Sequence, residues 1–367
     1  MGKKAMYPIL QINMNNIYEN AKKLVDLCRQ NGISVTGVIK GFNGIPEVAK
    51  EFIRADCEHI ASSRIEQLLK LKKQGITKPT MLNRIPRPCE LEYIAGNIDI
   101  SLNSEWHTVE EIEKICRRKN VMHSVVLMLD VGDLREGFFD KNELINLAEY
   151  IEKSLRHVKF LGIGTNVGCY GSIKPSQENI GSLCTLAEDI ENKIGRKLEI
   201  VSGGASTSIP LLLQGKMPTK VNNLRFGEAI LINRDLPDLW NIEMKGMHQD
   251  TFILKAQVIE VKNKPSHPIG ETFVDAYGNK PIYIDKGIRK RALLAVGKQD
   301  FGDHTKLIPL LEGVETVGSS SDHLIIDIED CKKDIQVGDV LEFMMFYQAM
   351  VFLSASQYVK KVFNYQS

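Results

Sequence analysis

Between residues 15 and 227, short apolar runs alternate with segments whose apolar positions recur at helical spacing. The runs at 35–40, 59–63, 80–83, 98–102, 124–130, 159–166, 198–204 and 222–227 are mostly continuous rather than alternating in polarity. Parallel strands covered on both faces have that pattern. The segments between them read as amphipathic helices. In the one before the first run, Ile17, Ala21, Leu24, Val25 and Cys28 fall on a single face. Others are expected over 64–75, 104–120, 142–155 and 176–195, with Ser104 and Ser176 as N-caps and Gly195 as a stop. Eight such units in succession predict an α/β fold, a (β/α)8 TIM-type barrel. The competitor is an open doubly wound sheet, but the Gly-x-Gly-x-x-Gly turn that often follows its first strand is missing here.

After residue 237 helical periodicity disappears and short strand-like runs take over, at 252–261, 291–297, 324–328, 340–343 and 350–353. Gly, Pro and Asp turns separate them, which predicts a mostly antiparallel β domain. The expected boundaries are 14–237 for the barrel and 238–367 for the β domain, joined by an N-terminal strand at 7–13.

Composition narrows the partners. The 367 residues are 43% hydrophobic and 25% charged, with a net charge of +1, so no electrostatic case exists for nucleic acid or an anionic membrane. No apolar stretch reaches the ~18 residues of a membrane span. The opening Met1-Gly-Lys-Lys-Ala lacks the apolar core of a signal peptide. Seven cysteines form neither Cys-x-x-Cys pairs nor zinc-spaced clusters with histidine, which argues for a reducing, cytoplasmic compartment and no structural metal. Cys169, in a loop, is the one to watch as a thiol.

In barrels of this kind the reacting groups come from the C-terminal strand ends. The first run closes on Lys40, and a desolvated lysine there has a lowered pKa and serves as a nucleophile or imine former. The ordinary alternative is a side chain that snorkels out to water. The fifth strand is followed by Asp130-Val-Gly-Asp-Leu-Arg135-Glu-Gly137, the sixth ends at Asn166, and the eighth carries Arg225 ahead of Gly227. After the seventh, Ser202-Gly-Gly-Ala-Ser206 could cradle a phosphate, or be a simple tight turn. A phosphate loop, a buried arginine and a strand-end lysine together suggest a phosphorylated aldehyde held as an imine, pyridoxal 5'-phosphate.

At these residues the chain resembles the alanine racemase family, the fold-type III pyridoxal-phosphate enzymes, and within it the ornithine racemase-like branch. The likeness rests on Pro8-Ile-Leu-Gln-Ile-Asn13, Gly37-Val-Ile-Lys40, Pro46-Glu-Val-Ala49, Ala61-Ser-Ser-Arg64, the 130–137 and 202–206 segments, Leu224-Arg-Phe-Gly-Glu228 and Ser321-Asp322. It implies an amino-acid racemase working as a homodimer with shared active sites. Lys40 would hold the cofactor and carry a proton on one face. Arg225 would meet the pyridine nitrogen, which favours racemisation over decarboxylation. Arg135 would lie near the phenolate oxygen and the substrate carboxylate. Ser206 and the amides at Gly204 and Gly227 would bind phosphate, with Tyr358 reaching it from the C-terminal region.

Departures from the family pattern leave questions for the structure. Gly44 stands where relatives have a tyrosine, and Asn166 where they have a ring-contacting histidine. The opposite-face base has no clean counterpart; Tyr277 and Glu271 are its candidates, and each also reads as an ordinary turn or strand residue. Asp322 could pair with the distal ammonium of ornithine or another basic amino acid, or be a turn aspartate. The rival readings are a fold-III decarboxylase, which Arg225 disfavours, and a non-catalytic pyridoxal-phosphate homeostasis protein, which the β domain disfavours.

Overall fold

Runs that are apolar on both faces can only be satisfied by strand neighbours on each side and cover above and below. The computed structural model describes residues 6–365; Met1–Ala5, the stretch that bears on a leader peptide, lie outside the described residues. After an N-terminal strand, β1 (Ile9–Asn13), the eight runs become β2 (Ser34–Val38), β3 (His59–Ser62), β4 (Thr80–Leu82), β5 (Ile100–Asn103), β6 (His123–Met128), β7 (Val158–Gly164), β8 (Ile200–Ser202) and β9 (Asn223–Phe226). They pair in parallel and close into a barrel, β9 returning to β2 with Ser34 opposite Asn223 and Gly37 opposite Phe226. The expected barrel is therefore present.

Side chains alternate across each strand, so Val38, Ala61, Met81, Leu102, Met128 and Ile200 meet in one buried cluster. Helices pack outside, the first (Met14–Gln30) burying Ile17, Ala21, Leu24 and Cys28. Helix Gln177–Ile194 starts at the expected Ser176, whose Oγ accepts the Asn179 N–H at 3.2 Å. It stops at Gly195, where φ is +79°. Helix Trp106–Lys119 begins one residue later than Ser104 would have it, after Glu105, with no side-chain cap.

Two compact units divide the chain, Ile17–Met247 and the flanking segments through Asn16 and from His248 onward. The second holds a mostly antiparallel sheet of β10 (Phe252–Pro265), β11 (Ile288–Leu294), β12 (Leu307–Pro309), β13 (Glu315–Ser319), β14 (Leu324–Asp327) and β15 (Val340–Met345), ordered 12-15-10-11-14-13. β1 joins through β10 and also pairs in parallel with β16 (Lys360–Asn364).

Two expectations fail here. Met350–Leu353 is not a strand but part of helix Tyr347–Ala355, which buries Ala349, Met350 and Leu353; a four-residue apolar run does not by itself distinguish the two. Lys40 does not close its strand either. β2 ends at Val38, and Lys40 opens the 3-10 turn Lys40–Phe42, because Asn43 and Gly44 enter the left-handed region (φ +54° and +57°) and turn the chain.

One residue shapes the barrel's seventh strand. Phe160 pairs with Val125 and Gly162 with Val126, leaving Leu161 as a bulge. Gly162 has φ +153°, and a Cβ there would lie 1.9 Å from the Ile200 carbonyl oxygen. Gly162→Ala should lower the unfolding free energy by about 3 kcal/mol or more, read from urea melts. A melt superimposable on the wild type would show that the β7–β8 spacing yields.

Candidate active site

Lys40 lies two residues past Val38, the last residue of β2, at the start of the 3-10 turn. Burial depresses its ammonium below the ordinary lysine pKa; Arg135 and Arg225 push the same way, while Cys169 and Glu136 oppose them. Lys40, Arg135, Glu136, Cys169 and Arg225 thus share one electrostatic neighbourhood.

Arg225 is 2% exposed on β9. A guanidinium so placed must find acceptors within the protein. Nη2 donates to the Thr165 carbonyl at 2.8 Å and Nη1 donates to Ser202 Oγ. The serine in turn donates to Asn223 Oδ1 at 2.7 Å, and Asn223 Nδ2 donates to Thr36 Oγ1 at 3.0 Å. This chain runs through β8, β9 and β2 and the residue after β7. Burial brings the arginine's pKa down to about 10, still leaving it charged at neutral pH.

Arg135 sits half-exposed on the loop after β6. Its Nη2 donates to Glu136 Oε1 at 2.5 Å, and Nε donates to the other carboxylate oxygen. Although burial works against it, the Glu136 carboxylate holds the Arg135 guanidinium above its ordinary pKa. Behind this pair, buried Asp133 accepts the N–H groups of Gly168 (3.0 Å) and Tyr170 (3.1 Å), tying the loop after β6 to the loop after β7. These backbone donors outweigh burial and keep Asp133 below the usual carboxylate range.

The remaining barrel positions form the rim. Gly204 has φ +114°, and a Cβ there would meet Ser208 Oγ at 2.6 Å, so only glycine fits. Ser206 begins the short 3-10 turn Ser206–Ser208 that leads into helix Ile209–Leu213, and its Oγ accepts the Ala229 N–H at 3.3 Å. That bond joins the Gly-Gly loop to the segment opened by Gly227. Asn166 lies just past β7, its Nδ2 buried with no hydrogen-bond partner. At Gly44 the left-handed backbone leaves a Cβ 2.7 Å from Gln67 Cβ, so no aromatic side chain fits as the backbone stands.

The β unit carries the other candidates. Tyr277 is 49% exposed, and its hydroxyl donates to Ser321 Oγ at 3.2 Å. Asp322, the next residue along, accepts from Gln299 Nε2 at 2.5 Å. Structure therefore brings Tyr277 and Asp322 into one neighbourhood, which their separation in sequence conceals. Glu271 is exposed. Tyr358 is 70% exposed, so it is not a core aromatic. Among the described residues, no group of His, Cys, Asp and Glu is arranged to hold a metal. No helix among them is long and apolar enough to cross a membrane.

Reading the sequence missed Ser202, Asn223, Asp133 and Glu136. Ser202 had a signal, since it continues the inward alternation of Ile200; Asp133 and Glu136 had only their place in the 130–137 segment.

Comparison with known proteins adds the following. A sequence model described as "Alanine racemase, N-terminal domain" matches residues 12–234. The chain is 42% identical to an ornithine racemase of Acetoanaerobium sticklandii over 97% of its own length and 99% of the relative's. It is 38% identical to a lysine racemase of Thermotoga maritima, over 98% and 99%. Among solved structures, an alanine racemase from Clostridium difficile 630 superposes with TM-score 0.73 at 19% identity, covering 99% of this chain and 97% of that one. A D-threonine aldolase from Filomicrobium marinum superposes with TM-score 0.71 at 14% identity, covering 95% and 89%, so the fold alone does not fix the reaction.

One buried acid beside the rim makes a measurable statement. Glu228 follows Gly227, and its Oε1 accepts the N–H groups of Arg234 (2.7 Å) and Asp235 (3.0 Å), while Oε2 is buried without a partner. Burial, with Asp235 adding to it, raises its pKa from 4.5 to about 7. A folded-state pKa above the unfolded one gives stability that is present below pH 4.5 and lost as pH rises through about 7. Glu228→Gln should remove this loss, flattening stability across that interval by up to about 1.4 kcal/mol per pH unit. Parallel pH profiles for variant and wild type would contradict the assignment.

Proposed function

The chain belongs to the alanine racemase family, and from that we propose a pyridoxal 5'-phosphate-dependent racemase that interconverts the enantiomers of a basic amino acid, ornithine or lysine. The observation that carries this reading is Lys40, a desolvated amine near two arginines in the turn that follows a barrel strand. The residues present fit the cofactor. Asn166 Nδ2 is an unpaired buried donor, and Arg225 supplies a fixed cation.

Lys40 would hold the cofactor, Arg225 its ring nitrogen, and Ser206 with the amides at Gly204 and Gly227 its phosphate, with Tyr358 as a further phosphate contact and Asn166 beside the ring. Pyridoxal phosphate, when bound, supplies the electron sink that makes the substrate's α-hydrogen acidic. The protein does the rest. Arg225 stays charged and keeps a proton off the ring nitrogen. Arg135 orients the substrate carboxylate. The Lys40 amine, favoured in its neutral form by burial, takes or returns the α-proton on one face. Tyr277 does the reverse on the other through its phenol oxygen, and Asp322, held by Gln299, meets the distal ammonium.

Each site would be completed by a second copy of the chain in a homodimer. The arm that carries Tyr277 supports this, since Ile269, Phe273, Ile282 and Ile284 are 89%, 82%, 93% and 73% exposed. Apolar side chains so concentrated are normally covered by a partner. All seven cysteines are free, which accords with a reducing cytoplasmic compartment.

Purified protein should show a visible absorption band that Lys40→Ala abolishes. In deuterated water it should exchange the α-hydrogen of ornithine or lysine at least about tenfold faster than that of alanine, a step of about 1.4 kcal/mol in transition-state binding. A cofactor-loaded protein that exchanges no amino acid's α-hydrogen would refute catalysis.

A further inference from the structure

We propose that Lys298, braced by Asp275, is the positioning residue that holds the Tyr277 ring in place for proton transfer. The inference rests on the assignment of Tyr277 to the second face.

Tyr277 lies on an exposed arm, where a side chain this open ordinarily samples several rotamers. Three contacts restrain it. Lys298 Nζ stands 4.4 Å from the centroid of its ring, within range of a cation–π attraction. Asp275 Oδ1 accepts the backbone N–H groups of Tyr277 and Asn279, both at 2.8 Å, fixing the turn that bears the ring. The hydroxyl rests on Ser321 at 3.2 Å. Asp275 also faces the lysine, with Oδ2 3.4 Å from Nζ. One carboxylate therefore sets both the backbone under the ring and the cation over it.

Lys298 is itself firmly based. Gly297 packs so tightly that a Cβ would fall 2.0 Å from the Ser321 carbonyl oxygen. Lys298 N–H donates to the Ser320 carbonyl at 2.9 Å, and Gln299 N–H donates to that of Ser321 at 3.3 Å. The same short segment thus presents a lysine to Tyr277 and an amide to Asp322. The side chain of Lys298 is only 16% exposed, packed with its ammonium against a ring face and a carboxylate. A lysine serving only solubility would not be held this way.

Enantiomer-resolved hydrogen exchange tests the idea. In a racemase with one proton carrier per face, initial α-exchange from L- and D-ornithine in deuterated water reports the two faces separately. Tyr277→Phe should suppress exchange from one enantiomer alone. Lys298→Met should impair that same enantiomer by about 10- to 100-fold, in kcat rather than KM, since a displacement near 1 Å costs that much. Lys298→Arg, which keeps a cation over the ring, should return to within about threefold of wild type. In the full-length protein without cofactor, the fluorine resonance of 3-fluorotyrosine at position 277, assigned with Tyr277→Phe, should shift and sharpen in Lys298→Met as the ring is released. The proposal is overturned if Lys298→Met slows both enantiomers equally or neither, while Tyr277→Phe remains one-sided. If Tyr277→Phe is itself not one-sided, the role of Tyr277 falls, and the positioning role with it.

Discussion

A charge that cannot be discarded organises the barrel. The Arg225 guanidinium is enclosed inside it, and an arginine holds its proton even there. The interior must therefore receive it with acceptors set at fixed positions, and these come from different strands. Thr165 offers its carbonyl just past β7, Ser202 its hydroxyl on β8, and Asn223 and Thr36 steady that hydroxyl from β9 and β2. A slip of one residue in any of these strands would turn its polar group outward and leave the cation unpaired. Register and electrostatics are thus one constraint at this end of the barrel.

That constraint reaches Lys40. Burial lowers the pKa of this lysine, and the two arginines add to that against the opposing pull of Cys169 and Glu136; a neutral amine is what a base or nucleophile requires. The arginines are not equivalent. Arg225 is immobilised by hydrogen bonds on a strand, whereas Arg135 is held by its sequence neighbour Glu136 on a loop. In the proposed assignment, the fixed cation meets the cofactor ring and the one on the loop meets the substrate. Asp133 keeps that loop in order by gathering N–H groups from the next loop over.

Much of this was legible beforehand, for identifiable reasons. The eight strands declare themselves because parallel strands are apolar on both faces. Arg225 stands out because a cation inside such a run needs an explanation. What sequence conceals is convergence. Ser202 and Asn223 look unremarkable until β8 and β9 bring them together, and Lys298 meets Tyr277 only after an exposed arm folds back. The strand expected at Met350–Leu353 proved helical because four consecutive apolar residues carry no period. The apolar pattern carries the first strand on to Lys40, two residues past its end at Val38, because the turn at Asn43 and Gly44 stops the strand sooner.

Gly44 has a consequence for anyone redesigning this pocket. Gln67 crowds that position, and its amide bridges Asn43 (3.1 Å) and Ser62 (2.6 Å), so it cannot be dismissed as filler. Where the family resemblance implies an aromatic residue, this chain has an amide strut that stiffens the turn. Reinstating the aromatic by a single exchange would collide with the strut and force a backbone angle that suits glycine. An aromatic side chain and the glycine with its amide brace are thus alternative architectures, interchangeable only as a set.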